Sequence, residues 1–281
     1  MPAYPELAGK VAIVTGAGRE GGLGEAIAKR LAQEGARVLL HDLGMAAGET
    51  APEHGVGQRD ELEAVAESIR RAGGECITYT GDMLVEADVE GMVKAAVAKW
   101  GKLDILVNNA GVGYLVGPVT EMSQQHWDTV IGVNLRGCFF GIKHAAAQML
   151  KQGGSGRIVS IASQAAKSGV GLMTAYSASK HGLIGLTRSA AIELGSKGIT
   201  VNAVCPNHVA TPLGVWQREN LSTKMRGISM DEYWERFRAK NPIGRPGVPE
   251  DTANIVTFLC SEAAAYVTGE AWNVTGGEET H

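Results

Sequence analysis

Two side chains at the start of a predicted helix have the types and spacing needed for acid–base chemistry. Tyr176 and Lys180 lie four residues apart in the string YSASK, so a helix places them on one face, one turn apart. A phenol with its ordinary pKa of about 10 is a poor acid–base catalyst at neutral pH. The nearby ammonium group and the helix N-terminus both favour the phenolate, so we expect them to lower the pKa of Tyr176. Tyr176 would then exchange a proton with an alcohol or carbonyl oxygen.

A serine just past a predicted strand strengthens this interpretation. Ser163 follows the apolar run RIVSI and precedes Tyr176 by 13 residues. A Y-x-x-x-K pair alone is weak evidence, whereas the added serine makes a chance match much rarer. We expect the Ser163 hydroxyl to meet the same substrate oxygen. A nucleophilic serine is the poorer interpretation, because no G-x-S-x-G turn surrounds it.

A glycine-rich stretch near the N-terminus predicts a phosphate-binding turn. It reads GAGREGGLG from Gly16 to Gly24 and follows the predicted strand KVAIVT. Such a turn directs backbone N–H groups and a helix N-terminus towards a pyrophosphate. Two registers compete: the literal G-x-G-x-x-G match that ends at Gly21, and a register in which Gly22 and Gly24 open the helix.

An acidic residue at the end of the second predicted strand bears on the cofactor. Asp42 lies 26 residues after Gly16, where a carboxylate accepts hydrogen bonds from ribose hydroxyls and repels a 2′-phosphate. Arg19 argues the other way, since a guanidinium in the loop holds a 2′-phosphate. We predict NAD as the cofactor, with NADP as the less favoured alternative.

Short β-branched runs alternate with helical stretches, which is typical of a parallel sheet built from βαβ units. Seven predicted strands indicate one α/β domain over residues 1–281: a Rossmann-type, doubly wound parallel sheet with helices on both faces. The strands are 10–15, 37–42, 75–82, 104–108, 157–161, 200–204 and 271–274. The helices are 23–34, 58–72, 86–100, 123–151, 175–195 and 249–261. Ligands bind beyond the carboxyl ends of such strands, so we expect the chemistry there.

Two segments interrupt this alternation. Residues 44–57 are rich in Gly and Ala without a hydrophobic period, which predicts a surface insertion. Residues 212–247 carry aromatic side chains among charges. We interpret them as a helical lid over the substrate, with a partner-binding excursion as the alternative.

The composition narrows the function classes. The chain has 281 residues, of which 44% are hydrophobic and 20% charged, and a net charge of −4. This is enough apolar material for a large core and offers no basic surface for nucleic acid or an anionic membrane. Neither a signal peptide nor a long apolar run is seen, so we expect a cytoplasmic protein. The four cysteines are scattered, which predicts buried thiols and no metal site: Cys76, Cys138, Cys205 and Cys260.

Taken together, these motifs resemble the short-chain dehydrogenase/reductase superfamily, in its single-domain NAD(P)-dependent branch, over residues 10–277. The strings that carry the resemblance are TGAGREGGLG, HD at 41–42, GD at 81–82, NNAG at 108–111, VNLRG at 133–137, IVSIAS at 158–163, YSASK, PNHVATP at 206–212 and VTGEAWNVTGG at 267–277. The resemblance also favours the register in which Gly22 and Gly24 open the first helix.

The resemblance implies a catalytic tetrad of Asn134, Ser163, Tyr176 and Lys180. In it, Tyr176 is the general acid in reduction and the base in oxidation, and Ser163 orients and polarises the substrate oxygen. Lys180 binds the nicotinamide ribose and lowers the pKa of Tyr176. Asn134 holds a water molecule that links Lys180 to solvent. The nicotinamide carries the hydride, while the protein mostly positions the reactants.

Cofactor and substrate contacts are also implied. The cofactor residues are Gly16, Arg19, Gly22, Leu23, Gly24, Asp42, Leu43, Asp82, Met83, Asn109, Ala110, Gly111, Tyr176, Lys180, Pro206, Val209 and Thr211. We predict a substrate pocket that suits a mid-sized, partly apolar alcohol or ketone, cyclic ones included. Its residues are Tyr114, Ser163, Gln164, Tyr176, His208, Leu213 and Trp216.

Three features depart from the family pattern. Two extra residues separate Gly16 from Gly22, and the insertion 44–57 lies near the adenosine end, where it would slow cofactor release. Asn207 stands beside His208 where the family has glycine. The Asn207 side chain either faces the substrate or stabilises a local turn.

The favoured function is an NAD-dependent oxidoreductase that acts on a small secondary alcohol or ketone. One alternative is a 3-oxoacyl thioester reductase that uses NADPH. Another is a nicotinamide-binding sensor without turnover, against which the complete tetrad argues. The long helices 123–151 and 175–195 are apolar on more than one face, and the family tetramer built on such helices predicts a homotetramer.

Overall fold

The seven strands form one sheet in which every pair of neighbours is parallel. A computed structural model describes residues 3–44, 58–225 and 227–281, without the side chains of 223 and 224. Apart from Gly44, the predicted insertion 44–57 lies outside these described residues. The strand order is β3-β2-β1-β4-β5-β6-β7, which confirms the doubly wound Rossmann-type fold. The strands are β1 (Val11–Thr15), β2 (Arg37–Asp42), β3 (Cys76–Thr80), β4 (Ile105–Asn108), β5 (Gly156–Ile161), β6 (Ile199–Pro206) and β7 (Ala271–Val274).

Helices connect these strands. The α-helices are α1 (Leu23–Gln33), α2 (Arg59–Arg71), α3 (Glu86–Trp100), α4 (Gln124–Ile131), α5 (Cys138–Lys151), α6 (Thr174–Leu194), α7 (Pro212–Gln217), α8 (Met230–Lys240) and α9 (Pro249–Cys260). Short 3₁₀ turns cover Pro5–Leu7, Gln164–Ala166, Gly195–Lys197 and Glu262–Ala264. π-helical turns cover Gly132–Gly137 and Arg218–Met225. Within the described residues, none of these helices is both long and apolar enough to cross a bilayer.

Two apolar layers bury the sheet on both faces. Ala12 and Val14 of β1 pack with α1, α2 and α9, whereas Val11 and Ile13 pack with α3, α5 and α6. Successive side chains of a strand point to opposite faces, so a sheet covered on both sides needs an unbroken apolar run. This explains why β1 reads VAIVT with every residue buried.

The connections reverse direction between β1 and β4. From β1 the chain winds outwards through β2 and β3, then returns to β4 on the other side of β1 and continues to β7. A crevice opens beyond the carboxyl ends of the two strands where the winding reverses. Asn109, directly after β4, closes this junction: its Nδ2 donates to the carbonyls of Thr15 and Gly16 over 2.9 Å each.

The helix predicted over 123–151 differs from the structure. A π-helical turn, Gly132–Gly137, separates α4 from α5. Such turns hold one additional residue within a helix and often occur at functional sites. Asn134, inside this turn, is fully buried and bonds to residues outside its own helix. These tertiary contacts explain the local departure, which helical periodicity alone does not predict.

Candidate active site

A cavity of about 430 Å³ lies beyond the carboxyl ends of the strands. Residues from the ends of β1, β2, β4, β5 and β6 line it, together with the start of α6 and the segment around α7. Every residue predicted to contact the cofactor lies on its wall, and so do Tyr114, Ser163, His208 and Leu213 from the predicted substrate set. The fold therefore gathers the predicted residues, scattered between positions 16 and 213, around one space.

The glycine-rich turn adopts the second of the two possible registers. Helix α1 begins at Leu23, and Gly22 is its N-cap residue. A Cβ atom on Gly24 would lie 2.2 Å from the Gly16 carbonyl oxygen, so no larger residue fits where α1 packs against the end of β1. The first turn of α1 leaves its backbone N–H groups without helical partners and faces the cavity with a positive end of the helix dipole. This is an anion site of the kind a pyrophosphate needs.

Asp42 lies next to this turn at the end of β2. Its Oδ2 accepts a hydrogen bond from the Gly18 amide and its Oδ1 one from the Leu43 amide, each over 2.8 Å. Burial raises the pKa of this carboxyl, and the two amide donors oppose that rise. A carboxylate has about four acceptor positions, so two remain for donors in the cavity. Ribose hydroxyls are such donors.

His41 was not predicted, yet it lines the cavity beside Asp42. Its Nε2 lies 3.0 Å from the Gly81 carbonyl oxygen. Burial lowers the pKa of His41 to about 4, so the ring is neutral near pH 7 and Nε2–H donates to that carbonyl. His41 thus holds the turn that carries Asp82 and Met83, both on the cavity wall. Because its partner is 40 residues away in the chain, no local pattern marks it.

The predicted acid–base pair, Tyr176 and Lys180, lies in the first two turns of α6. Lys180 Nζ is buried, donates to the Ile161 carbonyl over 2.7 Å and lies 5.6 Å from the ring centroid of Tyr176. An ammonium group has three donors, so two remain for other acceptors. Ser163 follows β5, and its hydroxyl accepts from the Ala165 amide over 3.2 Å. Tyr176, Lys180 and Ser163 all reach the same cavity.

Asn134 lies behind the cavity wall and is fully buried. Its Oδ1 accepts from the Val112 amide over 2.7 Å, and its Nδ2 donates to the Val112 carbonyl and to Ser179 Oγ over 2.9 and 3.1 Å. The side chain therefore joins the loop after β4 to the start of α6. By this geometry it positions the site; that it also holds a water molecule for Lys180 stays a prediction.

Two residues of the predicted substrate pocket do not line the cavity, so their contact with the substrate stays a prediction. Gln164 hydrogen-bonds instead to Glu278. Trp216 packs edge-on against Tyr114, with ring centroids 6.4 Å apart, and so stands behind the wall. Gln217, which was not predicted, lines the cavity, and its Nε2 donates to the Gly113 carbonyl over 2.8 Å.

The hydrogen-bonding groups around the cavity suit a dinucleotide bound along its length. One end has the helix N-terminus and the Asp42 carboxylate; the other has Lys180 and Tyr176. Within the described part of the chain, no group of three or more His, Cys, Asp or Glu side chains is arranged to hold a metal ion.

Comparison with known proteins identifies the family. Residues 16–279 match the family model described as enoyl-(acyl carrier protein) reductase. A short-chain dehydrogenase/reductase of Hericium erinaceus, eriH, is 39% identical over 267 residues, covering 95% of this chain and 96% of the relative. The chain belongs to the short-chain dehydrogenase/reductase family.

Solved structures of the family share the whole fold. A variant of actinorhodin polyketide ketoreductase, solved with NADPH, is 38% identical, with a TM-score of 0.86 and coverage of 100% of both chains. Carveol dehydrogenase from Mycobacterium avium, solved with NAD, is 31% identical, with a TM-score of 0.88 and coverage of 96% of this chain and 98% of that one. This short-chain dehydrogenase/reductase is a nicotinamide-dependent oxidoreductase that transfers a hydride between its cofactor and an alcohol or ketone.

Proposed function

We propose that the protein uses NAD(H) to interconvert a secondary alcohol and its ketone, with Tyr176 as the acid–base catalyst. The observation that carries the proposal is the meeting of Tyr176, Lys180 and Ser163 at one cavity. The position of Asp42 beside the phosphate-binding turn supports NAD, because a second negative charge at the ribose would be repelled.

In the direction of reduction, the four residues of the predicted tetrad have different roles. The Ser163 hydroxyl donates a hydrogen bond to the substrate carbonyl and orients it. The Tyr176 hydroxyl gives its proton to the same oxygen. The Lys180 ammonium stabilises the phenolate that is left and binds the cofactor ribose. Asn134 holds α6 and the loop after β4 in a fixed position relative to each other. The bound nicotinamide supplies the hydride.

The substrate end of the cavity suits a mid-sized, partly apolar molecule. Leu213 and Val112 line it with apolar surface, and Tyr114 and Gln217 add polar groups. Burial raises the pKa of Tyr114 to about 12, so this side chain meets the substrate as a neutral phenol. These features support alcohols and ketones without a strong charge, cyclic ones included.

An absorbance assay of NADH formation from NAD⁺ with a panel of secondary alcohols tests the proposal. Tyr176→Phe removes only the hydroxyl, so we expect turnover to fall by about 10³-fold while NADH binding, followed by fluorescence titration, is retained. Tyr266→Phe is the matched control, because the Tyr266 side chain is fully exposed. Undiminished turnover in Tyr176→Phe would refute the proposal, as would the absence of turnover with every alcohol and ketone tested, which favours a sensor.

A 3-oxoacyl thioester reductase that uses NADPH is the second candidate. Arg19 lines the cavity, and its charge acts on Asp42, so a guanidinium is present near the ribose site. The polyketide ketoreductase among the structural relatives was solved with NADPH. A higher kcat/KM for NADPH than for NADH, with faster turnover of acetoacetyl-coenzyme A than of simple ketones, would establish this function in place of the first.

We further propose a cytoplasmic homotetramer. The four cysteines are buried free thiols, which suits a reducing compartment. Phe139 and Leu150 on α5, together with Ile192 on α6, are exposed apolar side chains. Such a surface supports contact with further copies of the chain.

A further inference from the structure

Three side chains from distant parts of the chain form a hydrogen-bonded row at the edge of the cavity. The Tyr233 hydroxyl, on α8, lies 2.7 Å from His208 Nδ1. On the other side of the imidazole, His208 Nε2 lies 3.3 Å from Glu278 Oε2. His208 itself lines the cavity. The row therefore connects the segment after β6, helix α8 and the C-terminal segment at one point of the cavity wall.

The Glu278 carboxylate determines the direction of its hydrogen bond with His208. Glu278 is held ionised, since the His208 hydrogen bond lowers the pKa of this carboxyl, and a carboxylate only accepts. Burial raises the pKa of Tyr233 to about 12, so Tyr233 stays a phenol. The imidazole therefore donates from Nε2–H to Glu278, and its Nδ1 shares a second hydrogen bond with the Tyr233 hydroxyl.

Glu278 also binds the residue that replaces the family glycine. Asn207 Nδ2 donates to Glu278 Oε2 over 2.9 Å, and Gln164 hydrogen-bonds to the same carboxylate. The side chains of Asn207 and His208 are thus both hydrogen-bonded to the Glu278 carboxylate. The His208 backbone has a φ of +46°, a left-handed conformation that costs energy for a residue with a side chain. Contacts on both ring nitrogens oppose that cost.

Aromatic packing places α8 over the imidazole. The buried Phe237 ring stands edge-on to His208 with centroids 5.0 Å apart, and the Tyr233 ring stacks on Phe237. Towards the end of the helix, Asn241 Nδ2 donates to the Thr275 carbonyl over 2.9 Å. Asn241 follows Tyr233 by eight residues, or about 12 Å of helix, so α8 is attached at two separate points, to His208 and to the C-terminal segment.

We propose that Tyr233 and Glu278 are positioning residues which fix the His208 imidazole in the cavity wall and hold α8 against that part of the wall. The inference rests on the proposed function, since it names the part of that site which determines substrate affinity. Loss of either partner leaves hydride transfer intact and weakens retention of the substrate. The hydrogen bond of Asn241 to the C-terminal segment remains, so α8 moves about its C-terminal end.

Hydrogen exchange and kinetics on the full-length protein test this proposal together. Tyr233→Phe removes one hydroxyl and keeps the aromatic packing. We expect amide exchange in peptides covering residues 229–241 to become at least about fivefold faster, as suits the loss of one net hydrogen bond, while exchange in α1 is unchanged. We expect KM for the alcohol or ketone to rise by a similar factor, with kcat changed less than twofold. Tyr266→Phe is the control for loss of a tyrosine hydroxyl elsewhere.

Glu278 variants keep the test decisive if Tyr233→Phe folds poorly. Glu278→Ala should reproduce the faster exchange and the higher KM, and Glu278→Gln, which keeps an acceptor oxygen, should restore part of both. The double variant with Tyr233→Phe should be no worse than Glu278→Ala alone, because both act through His208. Unchanged exchange in α8, or a fall in kcat at constant KM, would overturn the inference. Faster exchange without any detectable turnover would support the positioning role and count against the proposed function instead.

Discussion

Asp42 is the single residue that bears most directly on the choice of cofactor. Its carboxylate binds two backbone amides and has acceptor positions left towards the cavity. Its negative charge is therefore fixed in place before a cofactor arrives, and a preorganised charge discriminates better than a mobile one. The neighbouring Arg19 has the opposite charge, so the balance between the two groups is open to measurement.

Asp42→Asn keeps an acceptor for the Gly18 amide and removes the charge. We expect the ratio of kcat/KM for NADH to kcat/KM for NADPH to fall by at least about tenfold, because charged hydrogen bonds to the ribose are lost and repulsion of the 2′-phosphate ends. Asp60→Asn, on the exposed start of α2, is the control. A ratio that does not move in Asp42→Asn would show that selectivity lies elsewhere.

His41 gives stability a specific dependence on pH. Its pKa is about 4 in the folded protein and about 6.5 in an unfolded chain, so the unfolded state binds more protons between these values. Stability contributed by His41 is therefore complete above about pH 6.5 and is lost as the pH falls towards 4. From pH 7.5 to pH 5 the loss is about 2 kcal/mol.

His41→Gln keeps a donor for the Gly81 carbonyl but does not titrate. Thermal unfolding at pH 7.5 and pH 5 should show a smaller drop in Tm for the variant than for the native protein. An equal drop in both proteins would mean that other groups account for the acid sensitivity.

Sequence patterns predicted residues whose function depends on local spacing. Tyr176 and Lys180 share one helix, so their spacing alone places them together. His41 and Gln217 were missed because their partners lie far away in the chain. Gln164 and Trp216 do not line the cavity, because the direction of a side chain in a loop or short helix depends on packing that spacing does not encode.

At the scale of elements, α7 meets the loop after β4 at Gly113. A Cβ atom there would lie 2.9 Å from Gln217 Nε2, 3.2 Å from Tyr176 Cε2 and 3.4 Å from Leu213 Cδ2. Because Gly113 has no side chain, α7 packs close to Tyr176. The strands and most helix bounds followed from hydrophobic periodicity, whereas this close approach depends on tertiary packing.

Gly113→Ala should disturb this contact more than it disturbs the fold. The added methyl group displaces Gln217 and crowds the Tyr176 ring, so we expect kcat/KM to fall by about tenfold with little change in Tm or NADH affinity. Gly117→Ala, in the same loop, meets nothing within 4 Å and serves as the control. Equal kinetics for the two variants would contradict a role of this close approach in the activity.

At the scale of the whole molecule, α5 and α6 expose an apolar surface that suits contact with other copies of the chain. Phe139 on α5 is 45% exposed and Ile192 on α6 is 85% exposed, although both helices already bury another face against the sheet. Sequence periodicity predicted this excess of apolar surface. It does not determine the number of copies, because that depends on the shape of the whole surface.

Phe139→Glu places a charge on the proposed contact surface. We expect light scattering to show a tetramer for the native protein and smaller species for the variant, because burying an unpaired charge is costly. Val119→Glu, at another exposed apolar side chain, should keep the native mass. A native protein that is monomeric would contradict the proposed assembly.

The π-helical turn Gly132–Gly137 makes this part of the chain sensitive to length rather than to composition. Removing one residue from it would let α4 and α5 merge into a regular α-helix, because the π-helical turn holds one additional residue. The residues inside the turn would then take up new positions around the helix axis. Asn134 would then lose its hydrogen bonds to Val112, and the start of α6 would lose its connection to the loop after β4. Single-residue deletions here should therefore be far more damaging than conservative substitutions on the exposed side of α5, and length in this stretch is a useful criterion when variants of this enzyme are designed.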